Sequence, residues 1–508
     1  MSFAGGSGSS SDPYVIEDWN HLDSVRDNLT DHFILNSDLD STTAGYDTHV
    51  ANPSDGWEPI GDTNNLFEGE FDGDGYSISD LVIDRVGESN LGLFGYTGDT
   101  GVVFQNVDLF DIDVSGDSSV AGLVGHSGDG ATIQDVSVTG SIEAEGCGAV
   151  TAFASSNASL SNLDADVTVS GSGVADIGGI VGILDNADIT DSSSSGTINA
   201  GSSDACGGLV GTVQDGSYIS NSHSTMDVTG ASYVGGLVGS LYEAEIDNSY
   251  ATSQTLSGDN TVGGLVGFTE DGTIKNSYAE GTVNSADEYA GGLVGYAAAI
   301  DTNEFVIQSC HAKGDVTGGP TGGAGGLVGW QTIGGSVTKC YAEGDVTGEK
   351  YVGGFVGYSG SVTVTECNAR GSIQNDSNDY TGGFVGYAYN GEISDCYSRG
   401  DVDGENETGG FIGYTDNDIT VARVYSTASS VTGSTNVGGF AGTVSLNNGS
   451  ISEAYWDSET NTDFSAGDGV ASGDDSGVTA LTTDEMQGTS AETNMTGFDF
   501  DNVWSTVT

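Results

Sequence analysis

Marked only as hydrophobic or polar, the chain restarts at regular intervals. GGLVGFTEDGTIKNSYAEGTVNSADEYA, residues 263–290, is followed at once by GGLVGY. The last residue of each such pentad falls at Gly95, Gly125, Ala152, Gly182, Gly211, Gly239, Gly267, Gly295, Gly329, Gly357, Gly386, Gly413 and Gly442. That makes thirteen units, most of them 27 to 30 residues apart. The longest interval, Gly295 to Gly329, holds AIDTNEF and GGPTGGA, which read as surface loops.

Within a unit three short apolar segments, VGGLVGF, TIKNSYA and GTV, are separated by turn residues. No 3.6-residue period runs through the array, so helical repeats are excluded. Three strands per unit predict successive coils of a parallel β-solenoid, an all-β fold of about thirteen turns. The columns agree with this. The position of Ile274 is Phe104, Ile133, Leu160, Ile189, Ile219, Ile246, Ile307, Val337, Val364, Ile393, Val421 and Ile451 in the other units, apolar throughout. Five residues before the marker stand Val120, Cys147, Ile177, Cys206, Val234 and their equivalents, as a narrow interior requires. The pentad glycines are expected where a Cβ would clash.

A solenoid needs its ends covered. Residues 1–60 are read as an N-terminal cap, with Ile16, Trp19, Leu22, Val25 and Leu29 on one helical face. The array is placed at 61–456 and a C-terminal cap at 457–508, where Thr482 and Glu485 are spaced for a capping box.

Charge narrows the function. The 508 residues carry 75 acidic and 9 basic side chains, a net charge of −66. No basic patch can neutralise phosphates, which excludes nucleic acid as a partner. Such an excess repels itself in dilute buffer and is tolerated at molar salt, where the screening length falls to about 3 Å; a halophilic setting is the expectation. The opening MSFAGGSGSSSDPY shows neither the basic flank nor the apolar run of an export signal, and no stretch has the length of a membrane span. Neither leader, anchor nor membrane insertion is expected.

Candidate chemistry is sparse. Cys310, Cys340, Cys367 and Cys396 continue the column Ser192, Ser222, Ser249, Ser277, so small buried residues with free thiols are expected. The next column, Tyr250, Tyr278, Tyr341, Tyr397 and Tyr425, with His223 and His311 as substitutes, is an aromatic ladder facing outward. It would serve either stacking along the solenoid or sugar rings. A second series runs Phe268, Tyr296, Trp330, Tyr358, Tyr387 and Tyr414. Asp72 and Asp74 in FDGDGYSI are weak candidates for structural calcium, without the pattern of an EF-hand. No cofactor and no catalytic residues are assigned: with so many carboxylates, pairs at glycosidase spacing arise by chance.

The unit GGLVGxxxxGTIxNSYAxGxV resembles the GLUG repeat of bacterial and archaeal surface proteins, some of them adhesins and some peptidases. FEGEFDGDGYSISDLVI and YWDSETN with LTTDEMQG resemble the blocks flanking such arrays, and the opening is similar to GLUG-containing proteins of haloarchaea and their viruses. The resemblance implies a β-helical rod in an extracellular or surface setting. It supplies no active site, because the peptidase members carry theirs in a separate zinc-binding domain. The reading drawn is a non-enzymatic virion component of a haloarchaeal virus, a tail fibre, spike or capsid decoration. Its partners would be other virion proteins and a host cell-surface glycan or glycoprotein, with a homotrimer expected by analogy with viral rods. Alternatives are a cell-surface adhesin of a halophilic archaeon, extracellular in location, and a polysaccharide-degrading spike.

Overall fold

The computed structural model describes residues 3–99, 101–171, 173, 176–253, 255–300, 304–375, 377, 379–460 and 468–504. The fold is an all-β parallel β-solenoid of about thirteen turns, and it comprises two compact units, Met1–Gln254 and Thr255–Thr508.

A turn of the second unit shows how sequence becomes coil. Tyr351–Gly353, Val356–Gly360 and the series Thr363–Thr365, Asn368–Ala369, Ile373–Asn375 lie in three different sheets. The segment written VGGLVGF in the sequence is therefore two strands rather than one. The second glycine and the following Leu or Phe, such as Gly354 and Phe355, form the bend between them. Both glycines of the pair are forced by close approach and neither has positive φ. A Cβ on Gly353 would run into the carbonyl of Val356, and one on Gly354 into the carbonyl of Gly383 in the next coil. The bend residue points inward: Phe355, Phe384, Phe411 and Phe440 are fully buried and stack with centroids 4.7, 4.8 and 5.3 Å apart.

Neighbouring coils pair parallel and in register, as in Tyr351↔Tyr380, Val352↔Thr381 and Gly353↔Gly382. Identical positions therefore stack about 4.8 Å apart, and each column becomes a ladder. A second corner recurs ahead of the Ser and Cys column. Asn106, Asp135, Asn162, Asp191, Asn221 and Asn248 in the first unit, and Asn276, Ser309, Lys339, Glu366, Asp395, Arg423 and Glu453 in the second, all have φ between 48° and 56°. Asn and Asp tolerate this left-handed geometry best, which explains their frequency there.

In the first unit the parallel ladder begins with Tyr14–Ile16, His32–Leu35 and Glu70–Asp72. The helix Trp19–Asp23 is capped by Asp18, whose carboxylate accepts from the His21 N–H at 2.9 Å. It is shorter than the apolar spacing predicts. Ile16 is engaged in the ladder with Leu35, and the chain tightens into a 3₁₀ turn at Ser24–Asp27. Trp19, Leu22 and Val25 are nonetheless fully buried, with Trp19 edge-on to Trp57 at 5.6 Å.

In the second unit, sheet pairing continues past Asp457: Val470–Gly473 pairs with Ala441–Val444, and Val478–Leu481 with Ser450–Asp457. The capping box forms as expected, Thr482 and Glu485 bonding reciprocally at the 3₁₀ turn Thr483–Met486. Helix Gly488–Asn494 follows, and Ala491, Met495 and Phe498 close over Tyr455 and Leu481.

Candidate functional site

The outward aromatic columns are real ladders, and their ring orientations differ in a way that matters for binding. In the first unit His223 and Tyr250 stack at 4.7 Å and 12°. In the second unit Tyr278, His311 and Tyr341 stack at 4.8 and 4.6 Å, within 7° of parallel. Asn368 interrupts this column. There the Arg370 guanidinium lies 5.7 Å from the Tyr341 ring, and it donates to the Tyr397 hydroxyl at 3.2 Å and to Glu343 at 2.8 Å. Tyr397 then stacks on Tyr425 at 5.1 Å, with Arg399 over Tyr397 at 4.8 Å. Trp504 packs beside Tyr425 at 5.5 Å and Phe498 beside Tyr455 at 5.7 Å, so the C-terminal cap covers the end of the ladder. Burial raises the Tyr425 phenol, and Arg399 partly offsets this.

In this column the faces of the rings are spent on one another. Centroids less than 5.2 Å apart leave no room for a third ring, so Tyr278, Tyr341 and Tyr397 offer mainly edges.

The second series behaves differently. Trp330, Tyr358, Tyr387 and Tyr414 stack at 3.8, 5.3 and 5.3 Å and within 10° of parallel. Tyr289, Tyr351 and Tyr380, six residues before a marker glycine, stand beside them. Tyr351 meets Trp330, Tyr358 and Tyr387 at 73 to 75°. These tyrosines were legible as a recurrent aromatic one residue before the small interior column, yet sequence reasoning missed them. The Tyr387 hydroxyl donates to Asp416 at 3.2 Å, and burial together with that carboxylate raises its phenol strongly.

The buried Ser and Cys column carries backbone hydrogen bonds, which goes beyond the small-residue filling expected of it. Ser192 donates to the Thr190 carbonyl at 2.8 Å and accepts from the Leu163 N–H of the preceding coil at 3.1 Å. Cys340 repeats this with sulfur, donating to Thr338 at 3.2 Å and accepting from the Cys310 N–H at 3.4 Å. All six cysteines are buried and free. Burial pushes the Cys147 and Cys206 thiols up to about 12 and raises those of Cys310, Cys340 and Cys367.

Asp72 ends the strand Glu70–Asp72 of the first unit, and Asp74 lies in the turn after it with φ of 48°. The Asp72 carboxylate accepts from the Asp74 N–H, Gln105 and Asn106, each at 2.9 Å. Among the described residues, no group of three or more His, Cys, Asp or Glu is placed to hold a metal ion.

Basic side chains that look scattered in the sequence pair across coils. In the second unit Lys313 meets Glu280 at 2.7 Å, Arg370 meets Glu343 at 2.8 Å and Arg423 meets Asp395 at 2.7 Å.

The GLUG motif matches residues 173–199, 230–257, 258–284, 321–347 and 377–403. The chain carries GLUG motif repeats. It is 43% identical over 109 residues to a candidate Gly-rich membrane protein of Evansella cellulosilytica, covering 21% of this chain and 12% of that protein. It is 32% identical over 224 residues to halomucin of Haloquadratum walsbyi, covering 43% of this chain and 2% of that protein. The chain thus spans only a small part of the length of either relative. A crystal structure of a candidate immunoglobulin A1 protease from Bacteroides ovatus aligns with 61% of this chain and 78% of that one, with a TM-score of 0.33 and 20% identity. Among the described residues, no helix is long and apolar enough to cross a membrane.

Proposed function

We propose that this chain is a non-catalytic surface repeat, displayed outside a cell or particle, whose stacked coils present a rigid face for attachment. The observation that carries the reading is the in-register ladder itself. Outward positions of successive coils line up about 4.8 Å apart, as Tyr351 with Tyr380 and Tyr358 with Tyr387, which suits an extended partner better than a small substrate. Supporting it, one of the relatives is named a Gly-rich membrane protein. The net charge of −66 fits a saline exterior.

The cell-surface form is taken as the main reading, because both named relatives are cellular proteins. The virion form, with other virion proteins as partners, is the other arm of the same test. Antibody raised against residues 255–504 is applied to intact cells, lysed cells and purified virus particles. Labelling of intact cells supports the cellular form and labelling of particles the virion form. Signal confined to lysed cells overturns surface display altogether.

A further inference from the structure

The C-terminal cap of the second unit covers the end of the tyrosine ladder without filling the space beside it. A cavity of about 320 Å³ remains between the coil that carries Tyr425 and the cap residues Met495, Phe498 and Trp504. Its lining is unlike the rest of the chain. Two of the four methionines, Met486 and Met495, line it together with Phe498, Phe500 and Trp504. Thioethers and rings accommodate irregular apolar guests, and the volume is that of a small-ligand pocket. The walls are tied down from the solenoid side. Trp504 donates its indole N–H to Asp395 at 3.4 Å, and its ring lies 5.5 Å from Tyr425 and 4.9 Å from Phe498.

One cation stands at this cavity. Positions 280, 313, 343, 370 and 399 follow one another on consecutive coils, two residues after each step of the tyrosine ladder. Lys313 is taken by Glu280 and Arg370 by Glu343. Arg399, which lines the cavity, has no carboxylate within ion-pair distance among the described residues, although the chain carries 75 acidic side chains. Its guanidinium rests 4.8 Å from the Tyr397 ring and is exposed to solvent. The carboxylate that also lines the cavity, Asp457, is already engaged. It is buried and accepts from the Glu459 and Thr460 N–H groups at 3.0 and 3.2 Å and from the Thr483 hydroxyl at 2.7 Å. An apolar cavity whose unclaimed charge is positive suits an anion with a hydrocarbon body, and a cation would meet Arg399.

We propose that this cavity binds a small hydrophobic monocarboxylate, its hydrocarbon part among Met495, Phe498 and Trp504 and its carboxylate on the Arg399 guanidinium. The planar fork of an arginine matches the two oxygens of a carboxylate, and the hydrocarbon leaves water for the methionine and aromatic walls. The pocket goes beyond surface attachment and does not depend on it.

The test titrates octanoate into the full chain by calorimetry in 1 M sodium chloride, which screens the repulsion of an anion by the net charge of −66. Saturable binding at one site per chain is expected. Arg399→Gln should weaken octanoate by about fivefold or more and leave the binding of octan-1-ol, which has the same chain without the charge, unchanged. Lys313→Gln removes an equal charge from the same column away from the cavity and should leave octanoate binding as it was. On the unaltered chain, NMR of the methionine methyl groups reads the same site. Octanoate should shift Met486 and Met495 and leave the buried Met226 unmoved. No saturable binding, an Arg399→Gln variant that binds octanoate as the wild type does or loses octan-1-ol equally, an equal loss in Lys313→Gln, or shifts that spare Met486 and Met495 would each overturn the pocket.

Discussion

The backbone N–H of Cys310 donates to the sulfur of Cys340 in the next coil at 3.4 Å. Cys340 in turn donates its thiol hydrogen to Thr338 and accepts nothing from solvent, since it is buried. The same two bonds are made by Ser192 and Ser222 in the first unit. A thiol at this corner does a hydroxyl's work.

Substitutions at Cys340 should therefore separate volume from hydrogen bonding. Cys340→Ser keeps both bonds and should change stability by less than about 0.5 kcal/mol. Cys340→Ala leaves the buried Cys310 N–H without its acceptor and should cost about 1 to 2 kcal/mol. Equal denaturation midpoints for the two variants would show that the corner needs only a small residue.

The pentad glycines make a sharper contrast. Gly354→Ala forces a methyl into the carbonyl of Gly383, and adjoining coils cannot part without breaking a parallel ladder; a loss of about 2 to 3 kcal/mol or more is expected. Gly201 in the first unit has no positive φ, and a Cβ added there would meet nothing within 4 Å, so Gly201→Ala should be neutral or slightly stabilising. Thermal melts of the two variants under one salt condition check both.

Much of this was legible in the sequence because a solenoid converts period into space. Thirteen pentads at near-constant spacing give the turns, and the column of Ile274 gives an inward face. What stayed hidden depends on how one coil sits on the next. The bend at Gly354 and Phe355 looks like mid-strand until the neighbouring carbonyl is in place. The Lys313 and Glu280 pair is 33 residues apart in sequence, and nothing local links them. The aromatic columns were visible, but the crossed setting of Tyr351, at 74 and 73° to Trp330 and Tyr358, is a matter of side-chain orientation, on which residue type is silent.

Salt dependence follows from the charge ladders. In the first unit Asp108, Ser137, Asp164 and Ser193 pair in succession, and Ser193 donates to Asp164 at 2.6 Å. Alternation puts like charges two coils apart, roughly 9 to 10 Å, which is about one Debye length at 0.1 M salt and three at 1 M. The melting temperature should climb between 0.1 and 1 M salt, with the steepest gain at the low end. A flat curve would mean that bound cations already neutralise the carboxylates. Chelation of calcium at constant ionic strength should leave the melt unchanged, because Asp72 is engaged by Gln105 and Asn106; a fall would identify a bound divalent ion.

Acid should act through His126 in the first unit, stacked between Tyr96 at 4.1 Å and Phe153 at 4.7 Å. Burial lowers its pKa, only partly opposed by the charge of Asp129. The unfolded chain, with its ordinary value near 6.5, takes up the proton first, so the stabilisation from keeping His126 neutral is present above that pH. It is lost as pH falls from there through the folded value. His126→Phe should flatten the melting temperature between pH 7 and pH 5 relative to the wild type. An unchanged slope would assign the acid sensitivity to carboxylates instead.

Attachment is the centre of the account, and competition measures it. Cells or particles that carry the chain are allowed to bind their natural surface in the presence of the purified chain. The account predicts that the wild-type protein lowers attachment in a dose-dependent way. Attachment indifferent to any dose of the folded wild-type protein would contradict it.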